Sequence, residues 1–162
     1  MGLSISAVRV LNASFSPSYL PVAVFVGGTS GIGQRLSLVP RMATHILLSS
    51  VASAAGAFRV IAGFPLPSSF SVKHELFTCN VTLMKNVQRT TQELLSCTSR
   101  VNFFVMSPGL LTLSGRDKTE EGIEKKLAVH YCAGWNFIHG LVPAFVQARE
   151  ADEDAKAFSV CM

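Results

Sequence analysis

Residues 21–33, PVAVFVGGTSGIG, limit what this chain can fold into more than any other stretch. Val22, Ala23, Val24, Phe25 and Val26 are apolar without alternation, which suits a strand buried on both faces of a parallel sheet. The run empties into Gly27, Gly28, Gly31 and Gly33, a turn almost free of side chains, and Ile32 then opens a helix. Bare backbone N–H groups at a helix N-terminus form an anion site, so the expected ligand carries a phosphate or pyrophosphate.

A strand of this kind needs neighbours, and the rest of the chain supplies them. Residues 45–49 (HILLS) form a second apolar strand, and residues 51–62 an Ala-rich helix interrupted by Gly56 and closed by Pro65 and Pro67. Residues 73–79 (KHELFTC) read as a third strand whose polar start suits a sheet edge. Asn80 and Thr82 then offer N-caps for a helix with Met84, Val87, Thr91, Leu94 and Leu95 on one face. A fourth buried strand, residues 101–106, ends at Ser107-Pro108-Gly109, and a polar loop follows at 115–118.

Thr119 is placed to cap a long helix with Glu120, Glu121 and Glu124 in its first turns. Ile123, Leu127, Tyr131, Trp135, Ile138, Val142 and Phe145 recur at three or four residues and read as its core stripe, with Pro143 kinking or dividing it. Residues 150–154 read as an acidic, solvated turn, and residues 157–161 as a fifth strand. The segment before residue 21 is Ser-rich, with turn signals at Asn12 and Pro17, and is expected to be an irregular arm over residues 1–20. Residues 21–162 then form one α/β domain, a Rossmann-like doubly wound parallel sheet of about five strands in the order 3-2-1-4-5. That order puts the glycine turn at the topological switch point.

Composition excludes several function classes. Hydrophobic residues make up 49% and charged residues 15%, enough apolar material for a packed core. No apolar run reaches the ~18 residues of a membrane span, and no signal-type apolar segment follows Arg9, so a cytoplasmic protein is expected. The first acidic residue is Glu75, but Arg9, Arg35, Arg41, Arg59 and Lys73 are scattered without interleaved aromatics, which argues against a nucleic-acid partner. Cys79, Cys97, Cys132 and Cys161 lack metal or redox spacing and read as buried, reduced residues, with no metal site implied.

Three phosphate motifs compete for the glycine turn. A P-loop would follow Gly28-x-x-x-x-Gly33 with Lys and Ser/Thr, where Gln34 and Arg35 stand instead. The G-x-G-x-x-G spacing from Gly31 requires glycine at Leu36. What remains is Gly27-x-x-x-Gly31-x-Gly33, and here the chain resembles the short-chain dehydrogenase/reductase family. Cys79-Asn80-Val81-Thr82 is similar to that family's Asp-Val motif after strand 3, and Ser107-Pro108-Gly109 stands in place of its Asn-Asn-Ala-Gly turn. A fungal group is resembled most, through residues 23–33, Met84-Lys85-Asn86-Val87, Met106-Ser107-Pro108-Gly109 and residues 121–131.

The resemblance implies an NAD(P)-dependent oxidoreductase that moves a hydride between a nicotinamide cofactor and a small carbonyl or alcohol substrate. NADP is slightly favoured over NAD. The implied cofactor residues are Gly27, Thr29, Ser30, Gly31, Ile32 and Gly33, then Asn80 and Val81, and Ser107 and Gly109.

Departures from the family pattern matter as much. Its acid/base tyrosine is followed four residues later by lysine, but here Tyr19 is followed by Ala23 and Tyr131 by Trp135. In the family the catalytic serine and Tyr-x-x-x-Lys lie at the end of strand 5 and on the helix after it, so a chain truncated within strand 5 is expected to carry the cofactor half and no catalytic residue. His130 stands where the family has a helix asparagine and is the one weak catalytic candidate. Ser49, Ser50 and Val51 replace the charge that reads the adenosine ribose, Asn80 lacks the usual carboxylate, and Pro40 ends the first helix near Val39. Two other readings stay open: a non-catalytic nucleotide-binding or interaction module, and a decayed or truncated paralogue. An uncovered strand 5 would favour a homo-oligomer through its edge.

Overall fold

Val22–Val26 is a strand, β1, and it lies in the middle of a five-stranded sheet. The computed structural model describes residues 4–14, 17–29, 31, 34, 44–49, 54–63, 74–113 and 115–159. The helix expected to end near Val39, with Pro40, Pro65, Pro67 and Cys161, falls outside them. Ahead of β1 runs helix α1 (Ile5–Ser14). β1 pairs in parallel with β2 (Thr44–Ser49) on one side and β4 (Phe103–Met106) on the other, so that Val24 lies between Ile46 and Phe104. β2 pairs with β3 (Glu75–Thr78) and β4 with β5 (Lys156–Ser159), all parallel, giving the expected order 3-2-1-4-5. Parallel neighbours need crossovers, and α2 (Ala54–Ala62), α3 (Met84–Cys97) and α4 (Ala133–Glu150) lie between successive strands from β2 to β5.

β1 serves two layers at once. Ala23 and Phe25 pack with Phe103, Val105 and Val60 of α2. Val24 and Val26 pack with Phe104 and Met106 in the larger layer, beneath Val87 and Leu94 of α3 and Phe137, Leu141 and Ala144 of α4. The Phe104 and Phe137 rings stand 5.7 Å apart and tilted. Each of these large side chains contributes roughly 1.5–3 kcal/mol by leaving water. A strand that buries both faces has no use for polar alternation, which is why its sequence shows none.

Several local readings are corrected. The arm is not irregular, because the Ser4 hydroxyl accepts from the backbone N–H of Ala7 and caps α1. Neither Asn80 nor Thr82 caps α3, which starts at Met84 with Leu83 at the cap position and no side-chain cap of its own. Its first N–H groups donate instead to Glu121, Met84 at 2.6 Å and Lys85 at 3.0 Å, while Asn80 closes a local turn onto Thr82. Those two bonds hold the Glu121 carboxyl below the usual carboxylate range. Thr119 does not cap the long helix either: it sits buried in a turn, its N–H on the Ile123 carbonyl. Glu124 is the cap, its carboxylate accepting from Leu127 N at 2.9 Å.

The long helix runs through Lys125–Leu127, a π-helical turn at Ala128–Cys132, and α4, which continues past Pro143 without dividing. Its expected core stripe is only partly inward, with Ile138 and Phe145 packed against the larger core layer. Tyr131 and Trp135 are each 59% exposed, and Leu127 and Val142 are also exposed, while Ala133, Phe137, Leu141, Ala144 and Ala148 are buried. The small face wins because it lets helix backbones approach: a Cβ at Gly140 would lie 2.5 Å from Thr91 on α3. The acidic turn is not wholly solvated, since Glu153 is buried against Arg100 and Asn102. Cys97 is exposed and Cys132 half-buried, so among the described cysteines only Cys79 is a core residue. Burial pushes the Cys79 thiol up from its ordinary value. No helix among the described residues is long and apolar enough to cross a membrane.

Candidate functional site

The glycine turn leaves β1 at its carboxyl end, where the neighbours on either side are β2 and β4. Chain order reverses at this point, since the chain passes from β1 to β2 on one side and later returns to β4 on the other. This is the usual ligand position in open α/β sheets. Gly27 has φ +82°, and a Cβ on it would lie 2.7 Å from the backbone nitrogen of Pro108. Two turns 81 residues apart in sequence are therefore in close backbone approach, and only glycine fits at the junction. Ser107 completes it, its N–H at 2.9 Å and its hydroxyl at 3.2 Å both donating to the Val26 carbonyl.

Gly31, at φ +57°, differs from Gly27 in that a Cβ there would meet nothing within 4 Å. Its left-handed backbone borders open space. Gly28 is buried and Thr29 half-buried beside it. From β3, Asn80 is exposed and Val81 is packed against the larger core layer. The Asn80 side chain accepts from Thr82 N at 3.1 Å and from the Thr82 hydroxyl at 2.8 Å. From β4, Ser107 is buried and Gly109 exposed. The structure thus gathers Gly27, Thr29, Gly31, Asn80, Val81, Ser107 and Gly109 at or just beyond the carboxyl ends of β1, β3 and β4. Ser30, Ile32 and Gly33 lie outside the described residues, as do Ser50 and Val51.

His130 lies on the π-helical turn, and its Nε2 is 3.3 Å from both the amide nitrogen and the carbonyl oxygen of Leu110. Its imidazole therefore ties the long helix to the loop that follows Gly109. π-turns are frequent at functional sites because they re-aim side chains that an α-helix would point elsewhere. Beyond that tether Leu111 and Leu113 are almost fully exposed. Among the described residues no cluster of three or more His, Cys, Asp or Glu could hold a metal ion.

The Gly27–Pro108 junction was not anticipated from the sequence. Its signal was present, though: a glycine pair after one strand and Ser-Pro-Gly after the strand that becomes its neighbour in the order 3-2-1-4-5. Nor was Glu121 anticipated as the clamp on α3, and no local pattern announces a cap donated from 36 residues away.

No protein-family profile matches the chain. It is 30% identical over 159 residues to oxidoreductase AN1596 of Emericella nidulans, a match that covers 98% of this chain and 46% of that relative. The chain thus spans about half the length of the relative. Among solved structures it is similar to the RhlG/NADP active-site complex of Pseudomonas aeruginosa, with a TM-score of 0.65 and 19% identity over 86% of this chain and 53% of that one. A metagenomic short-chain oxidoreductase in complex with NADP gives a TM-score of 0.63 and 18% identity, covering 86% of this chain and 61% of that one.

Proposed function

We infer that this chain, which has the short-chain dehydrogenase/reductase fold, forms the cofactor-binding part of an NAD(P)-dependent oxidoreductase. The observation that carries the reading is the glycine turn after β1, locked at Gly27 against the turn after β4 at the switch point of the sheet. The open left-handed backbone at Gly31 suits the close approach of a diphosphate. NADP is favoured because the similar solved structures named above carry it. When bound, such a cofactor gives or accepts a hydride at a carbonyl or alcohol carbon of a small substrate.

The chain's own residues hold and shape this site. Ser107 and Gly27 fix the floor between β1 and β4, Val81 backs it, and His130 holds the Leu110 loop at its side. None of them is a proton donor of the Tyr-x-x-x-Lys kind, and His130 acts through the Leu110 backbone as a positioning residue. Turnover therefore needs an acid/base group from further polypeptide.

Calorimetric titration of the folded chain with NADPH and NADH tests the reading. Saturable binding that favours NADPH and disappears in Gly27→Ala is expected. Absence of saturable binding to a chain with native circular dichroism would overturn it, as would unchanged binding by Gly27→Ala.

A further inference from the structure

α1, the helix ahead of β1, closes its own ends. The Ser4 hydroxyl accepts from Ala7 N at 3.2 Å at the start, and the Ser14 hydroxyl donates to the Leu11 carbonyl at 2.8 Å at the finish. Its sides are bare. Among the described side chains of α1 only Ala7 is half-buried, the others are exposed, and none belongs to either core layer. Helices in proteins owe most of their stability to an apolar face packed on something, and here that face has no cover.

The face is a stripe. Ile5, Val8 and Leu11 recur at steps of three, which sets them within an arc of about 120° on an α-helix. They are 76%, 40% and 55% exposed. Ser6 falls opposite, Arg9 stands at the edge of the arc beside Ile5, and Val10 lies outside it. Leu20, between α1 and β1, adds another exposed apolar side chain.

Charge and size name the occupant. Arg9 is the only charged residue before Arg35, and the first acidic residue is Glu75, so nothing near α1 in sequence repels an anionic surface. A groove on a protein selects a helix by large anchors, aromatic ones above all, and α1 offers three aliphatic side chains of middling size and no aromatic ring. A fluid lipid interface asks only for apolar area with a cation at its edge. Ten residues are too few to cross a bilayer, so such a helix lies along its surface.

We propose that α1 docks in the headgroup plane of an anionic phospholipid membrane, with Ile5, Val8 and Leu11 in the apolar boundary and Arg9 on the lipid phosphates. Tyr19 then carries the sheet domain with it. Its hydroxyl donates to the Asp154 carboxylate and accepts from the Asp154 N–H, both at 3.1 Å, which pins the segment after α1 to the residues just before β5.

The test sediments the whole chain with phosphatidylcholine vesicles, pure or with about a quarter phosphatidylserine. Binding to the anionic vesicles and little to the neutral ones is expected, with hydrogen exchange slowed across residues 8–14 on the anionic surface. Arg9→Gln should weaken that binding about fivefold, the worth of one cation near such a surface. Leu11→Gln should weaken it about tenfold or more, since it removes a buried leucine side chain. Glutamine is as good a helix former as either residue, so both variants should keep native circular dichroism. The proposal is overturned if binding is absent, if neutral vesicles bind as well, or if either substitution leaves binding unchanged. It is equally overturned if the chain alone is a dimer by light scattering that Leu11→Gln dissociates, which would give the stripe to a second copy.

Discussion

The two ends of this sheet are built on different principles. At the carboxyl end, backbone meets backbone: Gly27 against Pro108, Ser107 on the Val26 carbonyl, and little charge among the described residues that gather there. At the amino end, side chains do the joining. Asn102 is fully buried, accepts from Val22 N at 2.8 Å, and donates to Glu153 at 3.0 Å and to the Asp154 carbonyl at 2.9 Å. Arg100 closes on the other Glu153 oxygen, and the Tyr19 hydroxyl both donates to the Asp154 carboxylate and accepts from its backbone N–H. Lys156 and then Tyr19 hold the Asp154 carboxyl below its ordinary value, and burial raises that of Tyr19. One end spends its side chains on holding strands and termini together. The other keeps side chains out of the Gly27–Pro108 contact, so the stabilising network and the proposed cofactor site lie at opposite ends of one sheet.

Substitutions at each end should separate those two properties. Asn102→Leu removes three hydrogen bonds and leaves Glu153 buried with Arg100 alone, and should cost about 3–5 kcal/mol in urea unfolding while the folded fraction keeps its NADPH affinity. Gly27→Ala should do the reverse, abolishing NADPH binding for about 1–3 kcal/mol of stability, because the added Cβ meets Pro108 backbone at positive φ. Gly31→Ala meets open space, so only its left-handed backbone is strained, and about 1 kcal/mol in the same unfolding assay is expected. If both glycine variants lost equal stability, the Gly27–Pro108 junction would not be what separates them.

Smaller effects are expected from the two long-range ties beside the site. His130→Ala loses one neutral hydrogen bond to Leu110, about 0.5–1.5 kcal/mol, with NADPH affinity falling less than tenfold. Glu121→Gln should be the mildest. Because the Glu121 carboxyl titrates below its unfolded value, its contribution is fully present above the ordinary carboxylate pKa and is lost as pH falls through the folded one. Melting curves of wild type and Glu121→Gln should therefore differ at pH 6–7 and converge as pH drops below about 4. A difference that grew in acid would assign the clamp to shape and not to charge.

Much of the fold could be read directly. β1, β4 and the strand order follow from apolar runs without alternation, separated by helical stretches, because a doubly covered parallel strand has few other ways to be written, while the polar start of β3 matches its place at the edge. The place of the glycine turn followed too, directly after β1, since glycines crowd where backbone must turn sharply at a strand end. What could not be read was α4. Residues 127–145 carry apolar side chains on two faces, and periodicity alone gives both the same signature. Caps failed for a related reason: Asn80, Thr82 and Thr119 are good local candidates, but Glu121 reaches α3 from another loop and Glu124 stands one turn later than the helix pattern suggested.

By itself, then, the sequence determined what is local: which stretches are strands, and where the chain must turn on glycine at a strand end. Tertiary structure alone decided which face of α4 turns inward, which carboxylate closes α3, and that Gly27 must be glycine because Pro108 lies against it. The physical reason is the range of the forces. Backbone sterics and hydrophobic period act over a few residues and are written in order along the chain. Close packing and hydrogen-bond satisfaction act between whatever the fold brings within 3–4 Å, and no spacing in the sequence records that meeting.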